Sequence, residues 1–155
     1  NDRLLLIGKS KRTNAKGIVE LKKILNKLNI KVIPIRLSVT SSSDSCFHLM
    51  SIVSMLDHNL IIGYEKLLPL HLIKVLNKND INLIKIPEDE FLKSKTLAVN
   101  ILALSPRNLI LLKGYPKTCE LLSKVNCKLN LFYGDELCIK AEGGPTCLTR
   151  PILRK

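Results

Sequence analysis

A short apolar motif occurs twice in this chain and limits its architecture more than any other feature. Asn59-Leu60-Ile61-Ile62 returns 49 residues later as Asn108-Leu109-Ile110-Leu111. Each copy follows an apolar strand and a short polar turn, Asp57-His58-Asn59 in the first and Ser105-Pro106-Arg107-Asn108 in the second. Both therefore read as β-hairpins. A helical pattern follows each hairpin. The first covers 67–77, where Leu68, His71, Leu72 and Val75 recur at i, i+3, i+4 and i+7. The second opens at Pro116, a favoured first helical position, and continues to about 125. A β-rich strand closes each unit, at 81–87 and at 127–132, and an acidic turn comes next: Glu88-Asp89-Glu90-Phe91 or Gly134-Asp135-Glu136-Leu137.

The N-terminal part repeats the unit without its first strand. It reads as a strand over 3–8, a helix over 14–28 with Ile18, Leu21, Leu25 and Leu28 on one face, and a strand over 30–37. Two full ββαβ units follow, and then a final strand carrying Cys147. A ββαβ unit repeated about an axis makes a propeller-like α/β arrangement, because stacked repeats need neighbours to cover their apolar faces. The expected fold class is α/β: a partial ring of about three units, in a single partial α/β-propeller domain over 1–155. Opening in mid-unit, and on Asn rather than Met, the chain reads as a processed product or a piece of a larger ring.

Composition narrows the function classes. At 155 residues and 46% apolar content, the chain is large enough to bury a real core. No apolar run approaches the roughly 20 residues of a membrane span, and no secretory leader is visible. The formal net charge of +12 invites a nucleic-acid reading. However, 19 of the 25 cations are lysines spread along the whole length, with no interleaved aromatics to act as a stacking platform. A solvated lysine surface fits better than a basic binding module, so no nucleic-acid partner and no membrane partner are expected. Five cysteines stand at 46, 119, 127, 138 and 147. The count is odd and no CxxC occurs, so reduced thiols in a cytoplasmic protein fit better than a disulfide framework or a zinc ribbon. Cys119 and Cys127 read as small buried hydrophobes; Cys138 is open to either reading.

Cys147 differs from the others. It lies in Glu142-Gly143-Gly144-Pro145-Thr146-Cys147-Leu148, where two glycines and a proline set up a bend just ahead of the thiol. A thiol becomes a nucleophile when a base and a polar setting stabilise its thiolate. The candidate base is His48, within Cys46-Phe47-His48-Leu49-Met50-Ser51. From the residues alone, His48 on an apolar strand is a hydrogen-bonded core histidine, and Cys147 is either a nucleophile or one more core thiol. His58 reads as an exposed turn residue and His71 as a packing residue. Gly143-Gly144 is no phosphate loop, since no Lys-Ser/Thr follows. Cys147 and His48 could share a zinc ion, but two protein ligands make a weak site. A metal would be inhibitory at most, and no cofactor is expected.

Three segments together carry a family resemblance. Gly8-Lys9-Ser10-Lys11-Arg12-Thr13-Asn14, the block from Phe47-His48-Leu49-Met50-Ser51 to Ser54-Met55, and the terminal Gly143-Gly144-Pro145-Thr146-Cys147 resemble dimethylarginine dimethylaminohydrolase in order and near its spacing. The similarity runs over essentially the whole chain and extends to arginine deiminases and amidinotransferases. The resemblance implies a pentein, a five-unit ββαβ propeller with its active site on the axis. It implies thiol-dependent hydrolysis of Nω-methylated arginine to citrulline and an alkylamine, with Cys147 as nucleophile and His48 as general acid/base. It also implies that Arg12 pairs with the substrate α-carboxylate and that the Ala141 carbonyl accepts from the α-amino group. The family's guanidinium-gripping carboxylates lie upstream of the segment matching Asn1. Asp57, Glu88, Asp89 and Glu90 are not obvious substitutes, and Met50 stands where the wider superfamily often has an acid. The partners expected are a small molecule, methylated arginine or arginine, and the missing N-terminal propeller units. Arginine deimination and a truncated, non-catalytic pentein-fold binding protein are the alternatives.

Overall fold

The computed structural model describes residues 3–10, 12–37, 48–150 and 152; Cys46 and Phe47 lie outside them. The chain forms two compact units, Asn1–Leu49 with Pro69–Leu72, and Met50–Leu68 with Ile73–Lys155.

The first unit is a parallel strand pair, β1 (Arg3–Lys9) and β2 (Ile30–Arg36), joined through helix α1 (Ala15–Asn26). Asn14 starts α1: its backbone is extended, and its side-chain oxygen accepts the Gly17 N–H at 2.8 Å. That satisfies one of the orphan donors of the first turn. The helix stops two residues short of the expected face. Leu28 is 57% exposed, because the chain turns at 27–29 and Asn29 takes a positive φ of 55°. Ile18, Val32, Ile35 and Leu37 make the apolar interior.

The second unit holds the repeat. β3 (Val53–Asp57) pairs antiparallel with β4 (Leu60–Gly63), which pairs in parallel with β5 (Asn82–Lys85). β6 (Leu102–Ser105), β7 (Asn108–Leu112) and β8 (Lys128–Phe132) repeat that order and those senses. The register slips at the same place in both hairpins, between Met55 and Asp57 and between Ala103 and Ser105. Such a bulge turns the strand end and increases the local twist. Helix α2 (Leu70–Lys78) connects β4 to β5, and α4 (Pro116–Lys124) connects β7 to β8. β3 and β6 lie side by side, where the Ile101 N–H donates to Ser54 Oγ at 3.3 Å. Ile52, Leu56, Ile61, Ile101, Leu109 and Leu111 are buried around this seam.

Four expectations are corrected. The acidic stretch after β5 is not a turn but the start of helix α3 (Glu88–Lys93), whose three first-turn acids suit the positive end of a helix. The second acidic stretch is a single wide helical turn, Asp135–Ile139. His48 is not on a strand; it precedes a short helical turn at Leu49–Ser51, and β3 begins only at Val53. The final strand expected to carry Cys147 is the one-turn helix α5 (Pro145–Leu148). Pro145 decides this last case, since its ring pre-sets helical φ and it has no N–H to give a sheet.

Candidate active site

The second unit presents the Cys147 thiol at α5. The turn closes by hydrogen bonds from the Cys147 and Leu148 N–H groups to the Gly144 carbonyl, at 3.0 and 3.2 Å. The Thr149 hydroxyl donates to the Pro145 carbonyl at 2.6 Å and ties off its far end. The bend ahead of it is made otherwise than the glycines suggest. Glu142 takes the left-handed conformation, with φ 54°, whereas Gly144 is extended. Gly144 is required for space: a Cβ there would lie 2.4 Å from Asn100 Cγ.

Asn100 is the residue that the sequence reading missed. It sits just before β6, 5% exposed, and reaches three groups of the Cys147 turn. Its Oδ1 accepts the Thr146 N–H at 3.0 Å and the Thr146 hydroxyl at 2.7 Å. Its Nδ2 donates to Cys147 Sγ at 3.2 Å. A signal was present: Asn100 is the one polar residue in the run Leu97-Ala98-Val99-Asn100-Ile101-Leu102. A buried amide in such a run must find partners.

Cys147 is exposed, unlike the other described cysteines. Burial pushes the Cys138, Cys127 and Cys119 thiols up, away from thiolate formation at neutral pH. Cys138, ambiguous in sequence, is fully buried, and its carbonyl accepts the Gly143 N–H at 3.0 Å. Ala141 is exposed, and its carbonyl borders the same bend: it lies 3.9 Å, and Cys147 Cβ 3.3 Å, from where a Cβ on Gly143 would stand.

Four carboxylates of the second unit have partners of their own. Asp57 binds Arg107, Glu88 binds Lys66 and Tyr64, and Asp89 binds Lys117. Glu90, buried, accepts the Lys117 and Thr118 N–H groups and the Thr118 hydroxyl at 2.6–2.8 Å, so it caps α4 from another helix. Among the described residues no group of three or more His, Cys, Asp or Glu could hold a metal ion. None of their helices is long and apolar enough to cross a membrane.

The first unit gathers Arg12 and His48 at one end of its sheet. Arg12 is exposed in the turn closed by the Ser10–Thr13 bridge, directly after β1, and its N–H donates to Ser10 Oγ at 3.2 Å. His48, also exposed, precedes Leu49, which packs on Gly8 near the end of β1; a Cβ on Gly8 would lie 3.1 Å from Leu49 Cβ. Gly8 thus lets the His48 turn approach the carboxyl end of the strand pair, the edge where parallel α/β sheets place ligand groups.

No family model matches the sequence. Over 143 residues the chain is 27% identical to N(G),N(G)-dimethylarginine dimethylaminohydrolase of Pseudomonas aeruginosa, covering 92% of this chain and 49% of that protein. A structure of the P. aeruginosa enzyme, a cysteine-to-serine variant complexed with citrulline, superposes at TM-score 0.68 with 26% identity, over 88% of this chain and 47% of that one. Its fold is also shared by SxtG, an amidinotransferase from Microseira wollei, at TM-score 0.83 and 17% identity, over 100% of this chain and 46% of that one. The chain has a pentein-type fold and is similar to dimethylarginine dimethylaminohydrolase. The chain spans about half the length of the relatives it matches. Its repeated hairpin–helix–strand sheets are the α/β-propeller units expected from the sequence repeat.

Proposed function

We propose that this chain supplies the thiol and the imidazole of a cytoplasmic hydrolase converting Nω-methylated arginine to citrulline and an alkylamine. The observation that carries the reading is Cys147, an exposed thiol on a tight one-turn helix with an amide donor against its sulfur, in a chain related to dimethylarginine dimethylaminohydrolase. Cys147, as thiolate, forms a C–S bond to the guanidinium carbon. The C–N bond to the methylated nitrogen breaks, its electron pair leaves with nitrogen, and His48 gives that nitrogen a proton. The alkylamine departs and a thiouronium remains on sulfur. His48 then takes a proton from water and the hydroxide adds to the same carbon. The C–S bond breaks with its pair returning to sulfur, the hydroxyl proton passes to solvent, and the ureido group of citrulline is complete.

Arg12 pairs with the substrate α-carboxylate as a planar two-pronged donor, and the Ala141 carbonyl accepts from the α-amino group. Residues 1–155 act as one partial propeller domain, and upstream units supply the carboxylates that grip the guanidinium. The engagement of Asp57, Glu88, Asp89 and Glu90 in other contacts supports that division.

Incubation of the protein together with its upstream propeller units, first with asymmetric dimethylarginine and separately with arginine, followed by a ureido assay, tests this reading. Citrulline from the methylated substrate, abolished in Cys147→Ser, is the expected result. Citrulline from arginine alone makes the protein a deiminase. Full activity in Cys147→Ser removes the nucleophile assignment, and ligand binding without turnover makes the chain a non-catalytic binding protein.

A further inference from the structure

We infer that Asn100 is a positioning residue that holds the Cys147 turn and directs a hydrogen-bond donor at its sulfur; this deepens the hydrolase reading and rests on it. The amide orientation is set by its partners. The Thr146 N–H can only donate, so the atom it meets at 3.0 Å is the amide oxygen. The Thr146 hydroxyl, 2.7 Å from the same oxygen, gives its proton there too. The NH2 group is therefore turned to Cys147 Sγ, 3.2 Å away, and fixes where that sulfur sits. Thr146 Oγ1 lies 4.0 Å from the same sulfur, but its proton is committed to Asn100, which leaves the amide as the nearer donor.

Three features keep this amide in place. Asn100 closes a short helical turn, with its N–H on the Leu97 carbonyl, immediately ahead of β6. It is buried, so water does not compete for its donors. Gly144 clears the space it occupies. The thiol on α5 and the amide at the end of the turn before β6 are 47 residues apart, and this one side chain joins them.

The test is alkylation of Cys147 by iodoacetamide, followed by mass spectrometry on the peptide that carries it. This readout needs no substrate, so it reports on Asn100 even if the hydrolase reading fails in the ureido assay. Asn100→Asp keeps the acceptor for both Thr146 donors but puts a carboxylate oxygen against sulfur. Alkylation of the folded protein at pH 7 is expected to slow roughly tenfold, the size of one lost charge-assisted hydrogen bond, while rates in denaturant match wild type. Gly144→Ala, which displaces the amide by collision, is expected to reproduce the pH 7 loss and serves if Asn100→Asp does not fold. In an active enzyme the same variants lower kcat more than they raise KM. Wild-type alkylation at pH 7 in a folded Asn100→Asp protein, or slowing that persists in denaturant, overturns the assignment.

Discussion

Arg107 donates its Nε–H to the Asp57 carboxylate at 2.7 Å and so ties the hairpin turn of the second repeat to that of the first. Arg107 does more than pair. Its Nη1 donates to the Val125 carbonyl, its backbone N–H to the Leu56 carbonyl, and its own carbonyl accepts from Lys128. One side chain in a turn thus joins both sheets of the unit and the end of α4.

That arrangement sets an acid limit on stability. The hydrogen bond from Arg107, followed by that from the His58 N–H, holds the Asp57 carboxyl below its ordinary value of 3.8. A depressed carboxylate contributes stability fully present above the unfolded value and lost as pH falls through the folded one. Wild-type protein is therefore expected to lose stability below about pH 4, and Asp57→Asn to lose about 1–2 kcal/mol at pH 7 with a flatter acid profile. Urea melts between pH 2.5 and 7 check this; parallel profiles for the two proteins contradict it.

Glu90 gives a second stability test. Its buried carboxylate takes three hydrogen bonds at the start of α4. Glu90→Ala leaves the Lys117 and Thr118 donors without it and is expected to cost about 2–3 kcal/mol. Glu90→Gln retains an acceptor oxygen and is expected to cost about half as much. Chemical denaturation of both variants separates a trans cap from a spectator acid, which would show equal, small losses.

The cysteines are expected to label in an order set by burial. Cys147 reacts first with iodoacetamide at pH 7.5, while Cys127 and Cys138 react only after denaturant is added. Time-resolved peptide mass spectrometry reads the order directly. Rapid native labelling of Cys138 would contradict the buried placement of its turn.

The role proposed for Arg12 separates binding from chemistry. Arg12→Ala is expected to raise KM for methylarginine at least about tenfold, the loss of one charge-assisted pair, with iodoacetamide reactivity of Cys147 unchanged. Steady-state kinetics alongside alkylation checks it, and an unaltered KM removes Arg12 from substrate binding.

Local chemistry made most of the fold legible. The His58-Asn59 and Pro106-Arg107 turns, the apolar alternation of the flanking strands and Pro116 at a helix start each act within a few residues, so the hairpin–helix–strand repeat could be read from the chain. Where two local readings competed, nearby steric facts chose. Pro145 made the Cys147 segment a helical turn, and a positive φ at Asn29 ended the first helix early. Glu90 was visible as an acid but not as a cap, because its partner Thr118 is 28 residues away.

By itself the sequence determined the repeated unit, the resemblance that implied a pentein-type fold, and Cys147 as the thiol set apart by its glycines and proline. Only the tertiary structure decided that Asn100 faces that thiol and that Gly144 must stay without a side chain to let it. The reason is physical. Periodicity reports which face of an element is apolar, but the partner of a buried polar group is chosen when distant segments pack, and its hydrogen bonds then have nowhere else to go.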